Sequence, residues 1–142
     1  MAGLAKPTPC TIIPAMRYRD ARAAIEFFCN AFGFERQAVY DGADGRIAHA
    51  QLTFGNGMIM LGSHPQEGEY GNWVQPPQAR DGVNTHGLYV VVSDADAHYE
   101  RAKAGGAHIL RPPTDQDYGG RDYTCRDLEG FVWTFGTYDP WA

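Results

Sequence analysis

The side chains in this sequence that could do chemistry are few and widely scattered. His49 stands two positions before Gln51, and Asp122 stands two before Thr124 and four before Arg126. In an extended strand, residues two apart project from the same face, so each set forms a small polar patch. His49 can hydrogen-bond a ligand or act as a general base near neutral pH. Asp122 can neutralise a cationic ligand or pair with Arg126. Thr134 sits within the apolar ending of the chain, Met58 and Met60 offer a soft and adaptable apolar wall, and core packing explains the methionines equally well. Tyr89 lies in a β-prone run, whereas Tyr70, Trp73 and Tyr118 are aromatics in long loops, able to swing onto a bound molecule. His64, His98 and His108 fall in a loop, on a helix and at a strand start, and carry no assigned role. Nucleophile triads, phosphate loops and dinucleotide fingerprints are absent; Gly-Asn-Gly at 55–57 reads as a hairpin turn. No residue is singled out as catalytic.

These residues depend on a repeated set of elements. Thr11 to Tyr18 is apolar and β-prone, and Asp20 is a good N-cap. Ala24, Ile25, Phe28, Ala31 and Phe32 then recur at helical spacing until Gly33 stops the helix. Strands are expected over Glu35 to Tyr40, Ile47 to Phe54 and Met58 to Gly62, which completes a βαβββ order. The second half repeats it: a strand over Gly87 to Val92, a helix from the Ser93-Asp94 cap to about Ala104 ended by Gly105-Gly106, then strands over His108 to Leu110, Arg121 to Arg126 and Phe131 to Thr137. An offset of about 74 residues superposes Asp20, Ala21, Ala23 and Glu26 on Asp94, Ala95, Ala97 and Glu100, and a similar one pairs Gly45-Arg46 with Gly120-Arg121. Strand parity puts Ala48, Ala50, Leu52 and Phe54 on the helix-covered face, opposite His49, Gln51 and Thr53. Tyr123 and Cys125 oppose Asp122, Thr124 and Arg126. By the same parity Trp133 joins Phe131 and Phe135 as core. The connection at about 64–83 is rich in Gly and Pro and reads as either a functional loop or a plain linker.

Composition narrows the function classes. With 142 residues, 44% hydrophobic and 20% charged, the chain can bury one respectable core, so a single domain over 1–142 is expected, with module one at about 11–63 and module two at about 84–139. No apolar run nears the roughly 20 residues of a membrane span, and the start MAGLAKPTPC lacks the apolar core of a secretory signal, so a cytoplasmic location is expected. Cys10, Cys29 and Cys125 are odd in number and widely spaced, which argues against disulfides and zinc knots and for free thiols. A net charge of -5 with no basic cluster argues against nucleic acid and anionic membrane partners and leaves a neutral or cationic small molecule.

The segments MRYRDARAAIEFFCNAFGFE, VVVSDADAHYERAKAGGA and RDLEGFVWTFGTYDPW, in this order and with the repeat, resemble the vicinal-oxygen-chelate superfamily of glyoxalase I, bleomycin-binding proteins and extradiol dioxygenases. Within it the likeness is to PhnB-like bacterial glyoxalase-family proteins. The resemblance implies an α+β fold in which two βαβββ modules form curved mixed sheets around a cavity, and two chains that often pair as a homodimer. It turns His49, Gln51, Asp122, Thr124 and Thr134 from surface residues into cavity residues. The family's metal enzymes hold a divalent ion at four positions, which align with Ile13, Met60, Gly87 and Thr134. None is a His or carboxylate ligand of the kind such ions want. A slip of one residue would bring His86 to the place of Gly87, yet one His holds no catalytic ion.

The expectation is therefore a small-molecule binding protein without metal or cofactor, sequestering an aromatic or cationic compound. His49, Gln51, Met58, Met60, Trp73, Tyr89, Tyr118, Asp122, Thr124 and Thr134 are its candidate contacts. The alternatives are a lyase, isomerase or dioxygenase with non-standard ligands such as His49 and Asp122, and a structural dimer whose cavity Met58, Met60 and Tyr89 fill.

Overall fold

The computed structural model describes residues 3–142. Its architecture is α+β, two four-stranded mixed sheets with a helix attached to each. The chain divides into two compact units, one of residues up to Cys29 with Gly33–Gln75, the other of Asn30–Phe32 with Pro76–Ala142.

The first unit contains β1 (Ala15–Tyr18), α1 (Ala21–Phe27), β2 (Glu35–Asp41), β3 (Ile47–Phe54) and β4 (Gly57–Ser63), with strand order β1-β4-β3-β2. β1 runs parallel to β4, and the other pairs are antiparallel. Asp20 caps α1, its carboxylate accepting the Ala23 N–H at 3.0 Å. The helix loosens into a π turn over Phe28–Phe32 and stops at Gly33, whose left-handed φ of 81° is open to glycine at little steric cost. Tyr18, Ala24, Ile25, Phe28, Leu52, Ile59 and Leu61 form the core between helix and sheet. β1 starts at Ala15, later than the Thr11 expected, because Pro14 has no N–H to give to a ladder.

β3 matches its expected span, but its face assignment needs one correction. Ala48 is exposed and Ile47 is buried. A bulge between Tyr40 and Asp41 sets Tyr40 opposite His49 and Asp41 opposite Ile47, so parity inverts between 47 and 49 and holds again from Ala50 to Leu52.

The second unit repeats the order with β5 (Leu88–Val91), α3 (Ala95–Ala104), β6 (His108–Asp115), β7 (Arg121–Arg126) and β8 (Val132–Gly136), arranged β5-β8-β7-β6. Asp94 caps α3 as Asp20 caps α1, accepting the Ala97 N–H at 3.0 Å. The repeat extends to register. Ala15 faces Met60 in the first sheet, and Tyr89 faces Thr134 in the second, each 74 positions further on. β6 runs five residues past the expected end at Leu110, through Pro112 and Pro113, because as the edge strand it has one side on which a missing N–H breaks no ladder.

Phe32, Tyr123, Trp133 and Phe135 are all but fully buried in this unit, and Tyr123 stacks on Phe135 at 5.4 Å. Trp133 is core, as its parity implies. Its indole N–H donates to Asp127 Oδ2 at 3.1 Å, while Asp127 Oδ1 accepts the Glu129 and Phe131 N–H groups and closes the turn before β8. Cys125 lies in the same core, and burial pushes its thiol pKa up to about 12, so it is unreactive at neutral pH. Asn84 bonds Gly130 O and the Val132 N–H, and Arg126 donates to Gly82 O at 2.7 Å, which fixes the last part of the inter-module connection to the turn before β8. Upstream, α2 (Tyr70–Trp73) is a single helical turn.

Candidate functional site

Each sheet has one face packed on its helix and one open face, and the open faces carry the polar pairs read from the sequence. On the first sheet Arg17 of β1 faces Gly62 of β4, and Met60 faces both Ala15 and Gln51. His49 donates through Nε2 to Gln51 Oε1 at 3.0 Å, and Gln51 passes the chain on to Gln37 at 2.5 Å. Fixing Nε2 as the donor leaves Nδ1 as an acceptor in the neutral ring. Tyr40 stacks on His49 at 6.1 Å and is 58% exposed, so an aromatic pair stands at the margin of this face. Met58 and Met60 are half-buried beside it. Met58, with Cys10, Ile13, Thr53 and Asn56, also lines a cleft of about 160 Å³ between the N-terminal segment and the β3–β4 hairpin. That volume suits a fragment, since drug-sized ligands occupy about 300–1,000 Å³.

On the second sheet Tyr89, Thr134, Thr124 and Arg111 follow one another across β5, β8, β7 and β6. The Thr124 and Thr134 hydroxyls bond each other at 2.8 Å. Asp122 is buried, and its carboxylate takes Arg111 at 2.8 Å, Gln116 at 3.0 Å and Tyr118 at 3.4 Å. Its ion pair is therefore with Arg111 of the edge strand, which corrects the expected alternative of Arg126, itself spent on backbone carbonyls. Gly136 makes room for this cluster: a Cβ there would lie 2.6 Å from the Tyr89 hydroxyl and 2.8 Å from Asp122 Cβ. The Tyr89 hydroxyl donates to Tyr138 O at 2.7 Å, and burial followed by the Asp122 charge raises its pKa, so it stays a neutral donor.

Of the expected contacts, His49, Gln51, Met58 and Met60 share the open face of the first sheet. Tyr89, Tyr118, Asp122, Thr124 and Thr134 gather at the open face of the second. Trp73 stands apart on α2 with 71% of its surface exposed. Arg17, Arg111 and Gln116 belong to the same faces and were not expected. Arg111 and Gln116 flank the proline-bearing stretch of β6, one just before it and one just past the strand's end. Arg17 was hidden among three charged residues in the RYRD run, though its alternation with buried Met16 and Tyr18 marks its face.

The four family metal positions offer poor donors. Ile13 is apolar, Met60 presents a thioether, Gly87 precedes β5 with no side chain, and the Thr134 hydroxyl is already bonded to Thr124. His86, the alternative to Gly87, is exposed ahead of the strand. Among the described residues no three of His, Cys, Asp and Glu come together as a metal-holding group. These residues do not fit the divalent ion of the family's metal enzymes. Nor, among the described residues, is there a helix long and apolar enough to cross a membrane.

Comparison with known proteins agrees with this architecture. TioX from Micromonospora sp. ML1 is 31% identical, with 88% of this chain and 95% of that one covered and a TM-score of 0.67. Glyoxalase I from Zea mays shares the fold at 19% identity and a TM-score of 0.67, covering 87% of this chain and 43% of the maize protein. The uncharacterized protein Mb0911c of Mycobacterium bovis is 28% identical over 123 residues, 87% of this chain and 80% of its own length. The model of the glyoxalase/bleomycin resistance protein/dioxygenase superfamily matches residues 12–135, and the chain belongs to that superfamily.

Proposed function

We propose that this chain is a small-molecule binding protein that holds an aromatic compound on the open face of a sheet, oriented by polar side chains and without a metal in the binding chemistry. The observation that carries this reading is what the open faces are made of. A sheet face that merely meets water is polar along its length. Here it carries Tyr40, Met58 and Met60 on one sheet, and Tyr89, Val91 and Tyr118 on the other, the last three between 42% and 60% exposed. Aromatic and thioether walls with a few placed hydrogen-bonding groups are what ligand sites are built from. The superfamily's inclusion of bleomycin resistance proteins supports the same reading. A preference for cationic compounds rests on the net charge of -5, since the Asp122 charge is already met by Arg111. Pairing of two chains belongs to this proposal, and sedimentation equilibrium returning only the 15.7 kDa monomer would count against it.

The test is a panel of neutral and cationic aromatic compounds read by thermal shift and by tryptophan fluorescence, with Trp73 as the exposed reporter. At least one compound should raise Tm in the wild type, and Met60→Ala or Tyr89→Ala should weaken it roughly tenfold, the loss of about one good contact. No shift and no quenching across the panel overturns the reading.

A further inference from the structure

We propose that Arg17 and Arg46 form a subsite for an oxyanion, a phosphate or carboxylate group carried by a small molecule, at the end of β4 where the first sheet's open face meets the Ser63–Gln66 turn. Both guanidinium groups converge on one backbone oxygen. Arg17 Nη2 donates to Ser63 O at 2.7 Å, and Arg46 Nη2 reaches the same oxygen at 3.4 Å and also donates to Pro65 O. Two like charges held this close repel, and a carbonyl dipole does not neutralise either.

Four other arginines of the chain do meet carboxylates. Arg22 meets Asp41, Arg36 meets Glu26, Arg111 meets Asp122, and Arg121 meets Asp96 and Asp115. Among the described residues neither Arg17 nor Arg46 has a carboxylate partner. Glu67 and Glu69 stand exposed in the loop that follows and pair with neither.

Orphaned polar atoms mark the same spot. Among the described residues, the buried side-chain nitrogens and oxygens without a hydrogen-bond partner are Arg17 Nε, His64 Nδ1 and Gln66 Oε1. All three belong to β1 opposite the end of β4 or to the turn that leaves it. Buried polar groups in folded proteins nearly always have partners, so the orphaned Arg17 Nε donor beside two cations without carboxylates points to a missing acceptor, while Gln66 and His64 offer a further donor to it once reoriented. Gln66 can turn its amide to donate, and His64 Nδ1 donates in one tautomer. Gly62 keeps the place open: a Cβ there would lie 2.5–2.8 Å from the Arg17 guanidinium, which instead lies flat across the strand. Burial lowers the Arg17 pKa and Arg46 lowers it further, against an opposite effect of Tyr70, so the protein holds this cation at a cost that an anion would remove. Guanidinium forks match phosphate and carboxylate oxygens two at a time, and two positive charges suit the charge of nearly -2 on a phosphate monoester.

The subsite adjoins the first sheet's proposed ligand face but does not depend on it, and the probe separates the two. Inorganic phosphate is titrated into the full chain at about pH 7.5 and low salt, where surface screening is weakest, followed by phosphorus NMR line broadening and calorimetry, with benzoate and sodium chloride as parallel titrants. Saturable binding of phosphate or benzoate, not reproduced by chloride, is expected, weakened about tenfold or more in Arg17→Gln and in Arg46→Gln and partly retained in Arg17→Lys. Phosphate binding and benzoate binding each support the site and identify its preferred headgroup. Binding that is absent for both, or that survives unchanged in both glutamine variants, overturns it. Arg46 is half-exposed, so Arg46→Gln decides between these outcomes even if the variant at Arg17 fails to fold. An aromatic compound without an anionic group that binds normally while phosphate and benzoate do not leaves the function proposed above standing and removes this subsite.

Discussion

Asp122 is the buried carboxylate at the second sheet's open face. A buried carboxylate is tolerable only when donors surround it, and Arg111, Gln116 and Tyr118 do so from the edge strand and the hairpin beyond it. The pair is lopsided, because the Asp122 side chain is 6% exposed while that of Arg111 is 49% exposed. Removing the arginine leaves a buried charge with two neutral donors. Arg111→Ala is expected to lower unfolding free energy by about 1–2 kcal/mol, below the roughly 3–5 kcal/mol of fully buried pairs because water reaches the arginine. Asp122→Asn should lose less, since its amide oxygen still accepts from Arg111 and Gln116 and no charge is left buried. Urea unfolding of both variants checks the order, and a larger loss for Asn at 122 than for Ala at 111 would contradict it.

At the scale of elements, what could be read in advance was what depends on neighbours close in sequence. The caps Asp20 and Asp94, the Gly33 stop, the spans of β3 and β7 and the burial of Trp133 all follow from local chemistry and alternation. The bulge at Tyr40–Asp41 did not, because it belongs to a pairing between two strands and leaves no mark in either alone. The contact of Arg17 with Gly62 was equally out of reach, since parallel pairing of β1 with β4 joins residues on opposite sides of a whole module. Arg111 was missed for another reason: two prolines end most strands, but an edge strand can carry them. Gly62 and Gly136, at equivalent positions in the two modules, show that the repeat preserves a space as well as a register, one roofed by Arg17 and the other by Tyr89. Gly136→Ala should therefore push the Tyr89 ring and strain the β7–β8 pair, with a loss of about 1–3 kcal/mol, as overpacking typically gives. Adding Tyr89→Ala to it should recover part of that loss and not all, because the contact with Asp122 Cβ remains. Full additivity in a double-mutant cycle would show that Tyr89 is not what the new methyl meets.

For the molecule as a whole, His98 ties acid stability to the core of the second unit. It sits on α3, donates through Nε2 to Phe32 O at 2.8 Å, accepts the Tyr123 hydroxyl at Nδ1 at 2.5 Å, and stacks on Phe135 at 4.2 Å. Three elements thus meet on a neutral imidazole. Burial lowers its pKa, the bond to Phe32 O opposes this, and the nearby Arg101 charge adds to the lowering. Tyr123, whose phenol burial pushes far up, supplies no negative charge to stabilise an imidazolium. Folded His98 therefore binds its proton less readily than the unfolded chain does. Above the ordinary histidine value of about 6.5 both states are neutral and His98 makes stability no more sensitive to pH. Below it the unfolded chain takes up a proton that the folded one refuses, so stability falls as pH drops toward the folded pKa, by at most about 1.4 kcal/mol per pH unit for this one group. Thermal unfolding at about pH 7.5 and about pH 5.5, on either side of that value, should show a lower Tm in the acid sample. His98→Gln, though less stable at both, should narrow the gap because glutamine does not titrate. A gap of equal size in the variant would assign the acid sensitivity to other groups and leave His98 as packing alone.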